Sequence, residues 1–201
     1  MRIHRLIILA LACLLLAGAA SLAQASAAGK KVVLVVPFND YQEKELNDIR
    51  EELEEAGVLV TVASTMIGTA SGMSGGSSST DMVLADVSAG DFDAVCFIGG
   101  SGVQGLWNDA QAQRIAREFY EAGKVTAAIC WAPVILATSG ILDGREATVA
   151  DGGGAVNIME RHGCDVSRSS LVVDGLLMTA NGPRKADDLG EEMVEALGGE
   201  E

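Results

Sequence analysis

The chain reads as an α/β domain built on a mostly parallel sheet, and three observations lead there. Residues 31–37, 58–63, 93–98 and 125–129 form continuous apolar, β-branched runs, the pattern of strands covered on both faces. Segments with helical apolar spacing alternate with most of these runs, which argues helices packed on the sheet. Third, Gly99-Gly100 and Cys130 directly follow two of the runs, at the carboxyl edge where such sheets hold their functional crevice.

The chain has 201 residues, enough for one medium domain with a full core. Residues 1–25 stand apart. Arg2, His4 and Arg5 precede an apolar run beginning at Leu6, and Ala23-Gln24-Ala25 offers a small-x-small cleavage site. This is the pattern of a signal peptide, too short for a membrane span, so a single exported domain over 26–201 is expected, periplasmic or secreted. Without Arg2 and Arg5 the mature chain carries 12 basic and 28 acidic residues, a net charge of −16. Such a surface repels nucleic acid and anionic membranes, and neither is expected as a partner.

From the first strand onward the elements follow in order. The run 31–37 turns at Phe38-Asn39-Asp40-Tyr41 into a helix over 42–56, which Gly57 stops. Leu46, Ile49, Leu53 and Ala56 form its inward stripe; Glu45 falls on the same side, whereas Glu43, Glu51, Glu54 and Glu55 point to solvent. Strand 58–63 leads to a Gly/Ser-rich stretch, 67–80, read as a loop with room for short irregular strands. Strand 93–98 precedes a long amphipathic helix over 108–122. Strand 125–129 then runs into Cys130, with Pro133 in the first turn of the next helix. A short strand over 146–149, a helix over 153–162, a hairpin turning at Asp174-Gly175 and a final helix over 185–197 complete the chain.

The run into Cys130 carries the strongest chemical signal. Ala128 and Ala132, two residues either side of the cysteine, are small, the spacing of a nucleophile elbow between strand and helix. At such a turn the unpaired N–H groups of the following helix favour the thiolate; without it, the residue is a buried structural cysteine. Gly99-Gly100 either makes a tight strand-to-helix turn or, with the N–H of Trp131, forms an oxyanion hole. Glu45 is either a first-turn acid complementing the helix dipole or, if buried, a proton partner of the cysteine with a raised pKa, the pair holding one proton over a broad pH range.

Only Cys96, Cys130 and Cys164 remain in the mature chain, an odd number, and no CxxC or Cys/His cluster suggests a metal. No cofactor is expected. Cys96 lies within a strand; Cys164 follows a helix and is expected to be more exposed. The one remaining histidine, His162, falls at the end of its helix, at the sheet edge opposite Cys130.

Taken together, Glu45, the segments 92–100, 127–130 and 140–148, and Thr179-Ala180-Asn181-Gly182-Pro183 resemble the ThiJ/PfpI superfamily, which includes the human parkinsonism-associated protein. The likeness covers nearly all of the mature chain. It implies a flavodoxin-like three-layer sandwich, commonly homodimeric, with Cys130 at a strained elbow and Glu45 beside it. Catalytic members generally supply a histidine, directly after the cysteine or after the Gly-Arg-x-x-Thr strand; here those places read Trp131 and Val149-Ala150-Asp151-Gly152.

Three functions follow as alternatives. Cys130, paired with Glu45, protects against reactive carbonyls or oxidants in stress, its thiol oxidising to a sulfinic acid that Glu45 hydrogen-bonds. Alternatively the pair is a cysteine-dependent hydrolase or glyoxalase-like enzyme on a small carbonyl, with the Gly99, Gly100 and Trp131 backbone holding the oxyanion and Asp151 assisting if its loop folds over the crevice. The third is a non-catalytic scaffold. In the first two the partner is a small-molecule electrophile or oxidant.

Overall fold

The computed structural model describes residues 27–198. The signal-peptide expectation for 1–25 lies outside them.

Seven strands form the central sheet in the order β11-β12-β8-β7-β1-β3-β6. Of these, β1 (Lys31–Val35), β3 (Leu59–Ser64), β6 (Met82–Val83), β7 (Ala94–Phe97), β8 (Val125–Ile129) and β12 (Leu177–Ala180) run parallel. Only β11 (Leu171–Asp174) is antiparallel, paired with β12 through the expected turn at Gly175. The fold is the mixed α/β sandwich that the apolar runs predict.

Alternation along β1 shows why its run is unbroken. Val32, Leu34 and Val36 join Leu46, Ile49 and Leu53 of helix α1 (Glu43–Glu55) and Leu189 and Met193 of α5 (Ala186–Gly198) in one apolar layer. Val33 and Val35 face the other way, into a layer with Ile115 and Phe119 of α2 (Ala110–Glu121), Ile135 and Leu136 of α3 (Pro133–Thr138), and Met159 of α4 (Ala155–Arg161). Both faces of the strand are buried, so every position must be apolar.

Three local features bear on the site. The Gly/Ser-rich stretch is an antiparallel hairpin of β4 (Gly68–Gly72) and β5 (Ser77–Thr80), with β2 (Asn39–Tyr41) paired alongside β4. Serine and glycine carry no apolar alternation, so the sequence held no strand signal there. A 3-10 turn over Ser101–Leu106 stands between β7 and α2. The two-residue strands β9 (Glu146–Ala147) and β10 (Asp165–Val166) pair outside the main sheet and frame α4.

Candidate active site

Cys130 occupies the end of β8 with φ +64, one of two non-glycine residues among those described with a left-handed backbone. That conformation costs roughly 1–2 kcal/mol for an L-residue and persists only where the surroundings impose it. Here they do. The Cys130 N–H donates to Ala180 C=O on β12 at 2.9 Å, and its carbonyl accepts the Ala150 N–H at 2.9 Å. Ala128 and Ala132, both fully buried, leave the turn room to close. The Trp131 carbonyl that follows accepts the Trp107 indole N–H at 2.9 Å.

Glu45 lies on the inward face of α1 and is fully buried. Its Oε2 accepts the Gly99 N–H at 3.0 Å, whereas Oε1 makes no hydrogen bond of ordinary geometry. The carboxyl also reaches the Cys130 sulfur closely enough to interact with it as a hydrogen-bonding group. Burial, only partly offset by Gly99 and Cys130, pushes the Glu45 carboxyl up to about 8, so it is protonated at neutral pH. Proton partner, not helix-dipole acid, is the alternative this geometry favours.

For the thiol the direction is opposite to the sequence expectation. Burial and then the Glu45 charge push Cys130 up to about 12, against the Gly100 and Trp131 backbone N–H groups, which favour the thiolate. The sequence showed the helix start but not how far the sulfur is withdrawn from water.

The two glycines divide their work. The Gly99 N–H, expected in an oxyanion hole, is taken by Glu45. Gly100, at φ +106, and Trp131 keep their N–H groups at the sulfur. A Cβ on Gly100 would lie 2.2 Å from the Asp40 carbonyl, so only glycine lets β2 come this close. Asp40 itself has φ +56, a position no sequence pattern flagged.

The loop after β9 lies against the elbow. Ala150 bonds Cys130, and the Trp131 indole N–H donates to Asp151 C=O at 3.3 Å. Cys96 is fully buried, and burial raises its thiol. Cys164 is also buried, against the expectation of exposure, with its thiol pushed up to about 11 by burial and Asp165. It packs into the layer of Met159 and Ala147, which a residue after a helix does not reveal by position alone. All three cysteines are free. His162 is exposed at the C-cap of α4. A cavity of about 540 Å³ lies between Asp143–Glu146 and Val172–Asp174, and none of the candidate residues lines it.

Two solved structures superpose well. One is the ThiJ/PfpI domain protein from Brachyspira murdochii: TM-score 0.81, 31% identity, 85% of this chain and 97% of that one covered. The other is Drosophila melanogaster DJ-1beta: TM-score 0.75, 27% identity, 86% and 92% covered. Among curated proteins, an uncharacterised protein of Methanocaldococcus jannaschii is 34% identical over 168 residues, 83% of this chain and 82% of its own length. A protein named deglycase from Pyrococcus horikoshii is 32% identical over 151 residues, 75% of this chain and 90% of its own. Residues 30–196 match the family described as the DJ-1/PfpI family, and this chain belongs to it.

Proposed function

We propose that this chain is an exported homodimer that protects against reactive carbonyls and oxidants through Cys130 and Glu45. The observation that carries the reading is the fully buried Glu45, protonated at neutral pH, at the sulfur of a strained cysteine. Relatives named deglycases favour the carbonyl side of the proposal. Export rests on the pattern of residues 1–25; the homodimer rests on family likeness.

The chemistry needs only these groups. Cys130 sulfur adds to the carbonyl carbon of a small aldehyde, forming an S–C bond as the C=O π-pair moves to oxygen. Glu45 gives its proton to that oxygen and takes the thiol proton, ending as it began. The Gly100 and Trp131 N–H groups, released from the sulfur as its charge is consumed, stabilise the developing oxyanion. With peroxide as oxidant, two equivalents each deliver one oxygen to sulfur and leave as water, and the sulfinic acid takes hydrogen bonds from the same donors. No histidine takes part in either route.

Methylglyoxal consumption and protection of a glycated peptide by wild type, Cys130→Ser and Glu45→Gln test the proposal. Wild type is expected to act and Cys130→Ser to be inert. Equal activity in wild type and Cys130→Ser would remove the cysteine from the chemistry.

A further inference from the structure

Met73 ties the β4–β5 hairpin to both sides of the site. Its N–H donates to Tyr41 C=O at 2.9 Å, and its Sδ accepts the Ser101 N–H at 3.4 Å. The Gln42 N–H, next to Tyr41, donates to Gly99 C=O at 3.1 Å. A closed circuit results: hairpin to β2, β2 to the glycine loop, and glycine loop back to the hairpin through a thioether.

The hairpin turn is fixed from below. Glu43 Oε1 accepts the N–H groups of Ser74 at 2.6 Å and Gly76 at 3.1 Å. Burial works against the Glu43 carboxylate, yet these bonds and its own backbone N–H hold it below the usual carboxylate range. The expectation that Glu43 points out and needs only solvation is thereby corrected. A Cβ on Gly72 would lie 2.3 Å from the Glu43 carboxyl, so the hairpin closes onto it through glycine.

Ser101 is one peptide from Gly100, whose N–H lies towards the Cys130 sulfur and favours its thiolate. A thioether is a weak acceptor, and here it is the partner of a backbone donor in the loop that presents Gly100. Yet Met73 is 50% exposed, open to the oxidants that would reach Cys130. Met66 is equally exposed, but its side chain makes no hydrogen bond to the site.

We propose that Met73 is an oxidation site, a positioning residue whose conversion to the sulfoxide lowers the reactivity of Cys130 by displacing Ser101 and Gly100. This rests on the reading of Cys130 as a reactive thiol. Peroxide delivers one oxygen to Sδ, the O–O bond breaks, and the second oxygen leaves as water with both protons. Thiol-dependent methionine sulfoxide reductases reverse the step. The added oxygen stands between the sulfur and the Ser101 N–H and makes an apolar tip polar, so the old contact cannot persist unchanged. The hairpin thus reports oxidant exposure to the cysteine.

The test protects Cys130 as a mixed disulfide, treats the protein with hydrogen peroxide, removes the cap with dithiothreitol and times alkylation by iodoacetamide across pH. Oxidised Met73 is expected to slow alkylation about three- to tenfold, the effect of one weakened hydrogen bond to sulfur, and to shift the pH profile upward. Sulfoxide reductases restore the rate. Met73→Leu is slowed before peroxide and indifferent to it; Met66→Leu behaves as wild type. An unchanged rate with Met73 fully oxidised overturns the proposal, as does Met73→Leu reacting like wild type or Met73 resisting peroxide while Met66 oxidises. A Cys130 that does not alkylate even in untreated protein overturns the reading of the thiol itself, and this inference with it.

Discussion

Glu45 and Cys130 meet across the space that a side chain on residue 99 would fill. A Cβ there would stand 2.4 Å from Cys130 Cβ, 2.7 Å from Glu45 Oε2 and 2.9 Å from Ile129 C=O. The same glycine's N–H holds Glu45 Oε2 at 3.0 Å. The pair exists because residue 99 has no side chain.

Gly99→Ala therefore forces the elbow and α1 apart. Two of the three close atoms belong to Cys130 and Glu45 and the third is backbone, so nothing yields cheaply. Destabilisation of about 1–3 kcal/mol is expected, the usual cost of overpacking, with a lower rate of Cys130 alkylation in the protein that remains folded. Urea unfolding beside wild type measures the first; an unchanged midpoint would mean that the contact is loose.

Glu45 gives stability a defined pH dependence. Its folded pKa, about 8, lies above the ordinary 4.5, so the folded protein holds a proton that the unfolded chain loses. The contribution is whole below pH 4.5 and is lost as pH rises through about 8, at up to about 1.4 kcal/mol per pH unit. Glu45→Gln should flatten that decline, shown by unfolding midpoints near pH 5 and pH 8. The same variant removes the charge that raises the thiol, so its Cys130 should form thiolate at lower pH than wild type. A wild-type decline that persists in Glu45→Gln would assign it to another group.

The strained elbow predicts an order among variants. Cys130→Ala and Cys130→Gly both lose the sulfur, but only alanine keeps a Cβ at φ +64. The glycine variant should be the more stable by about 1 kcal/mol. Alanine equal to or above glycine in thermal unfolding would show that the turn relaxes once the sulfur is gone.

His162 is exposed at the end of α4. His162→Ala should leave Cys130 alkylation unchanged at every pH and shift stability by less than about 0.5 kcal/mol. A lost step in the pH–rate profile would bring a histidine back into the chemistry.

The sheet was legible because burial on both faces demands apolar residues at every position, as in Val32 to Val36. The tight strand-to-helix turn at Cys130 was legible because it needs small neighbours and a proline-started helix, both visible there. What the sequence hid was long-range. Glu43 looks like any solvent-facing acid until a hairpin 31 residues away in sequence closes on it. The division between Gly99, which holds Glu45, and Gly100, which faces the sulfur, depends on which N–H points where. The depth of the Cys130 sulfur depends on α1, the Gly99-Gly100 loop and the loop after β9 together, and no local pattern records it.

Brief alkylation with iodoacetamide at neutral pH, followed by peptide mass mapping, reads which thiol of the folded protein reacts. All three thiols are raised, Cys130 to about 12 and Cys164 to about 11, so exposure separates them: Cys96 and Cys164 are buried, whereas Cys130 is only partly covered and lies beside a protonated Glu45. Label is expected on Cys130 alone, slowed in Gly99→Ala. Label on Cys164 ahead of Cys130, or none on any thiol of the folded protein, would contradict that expectation.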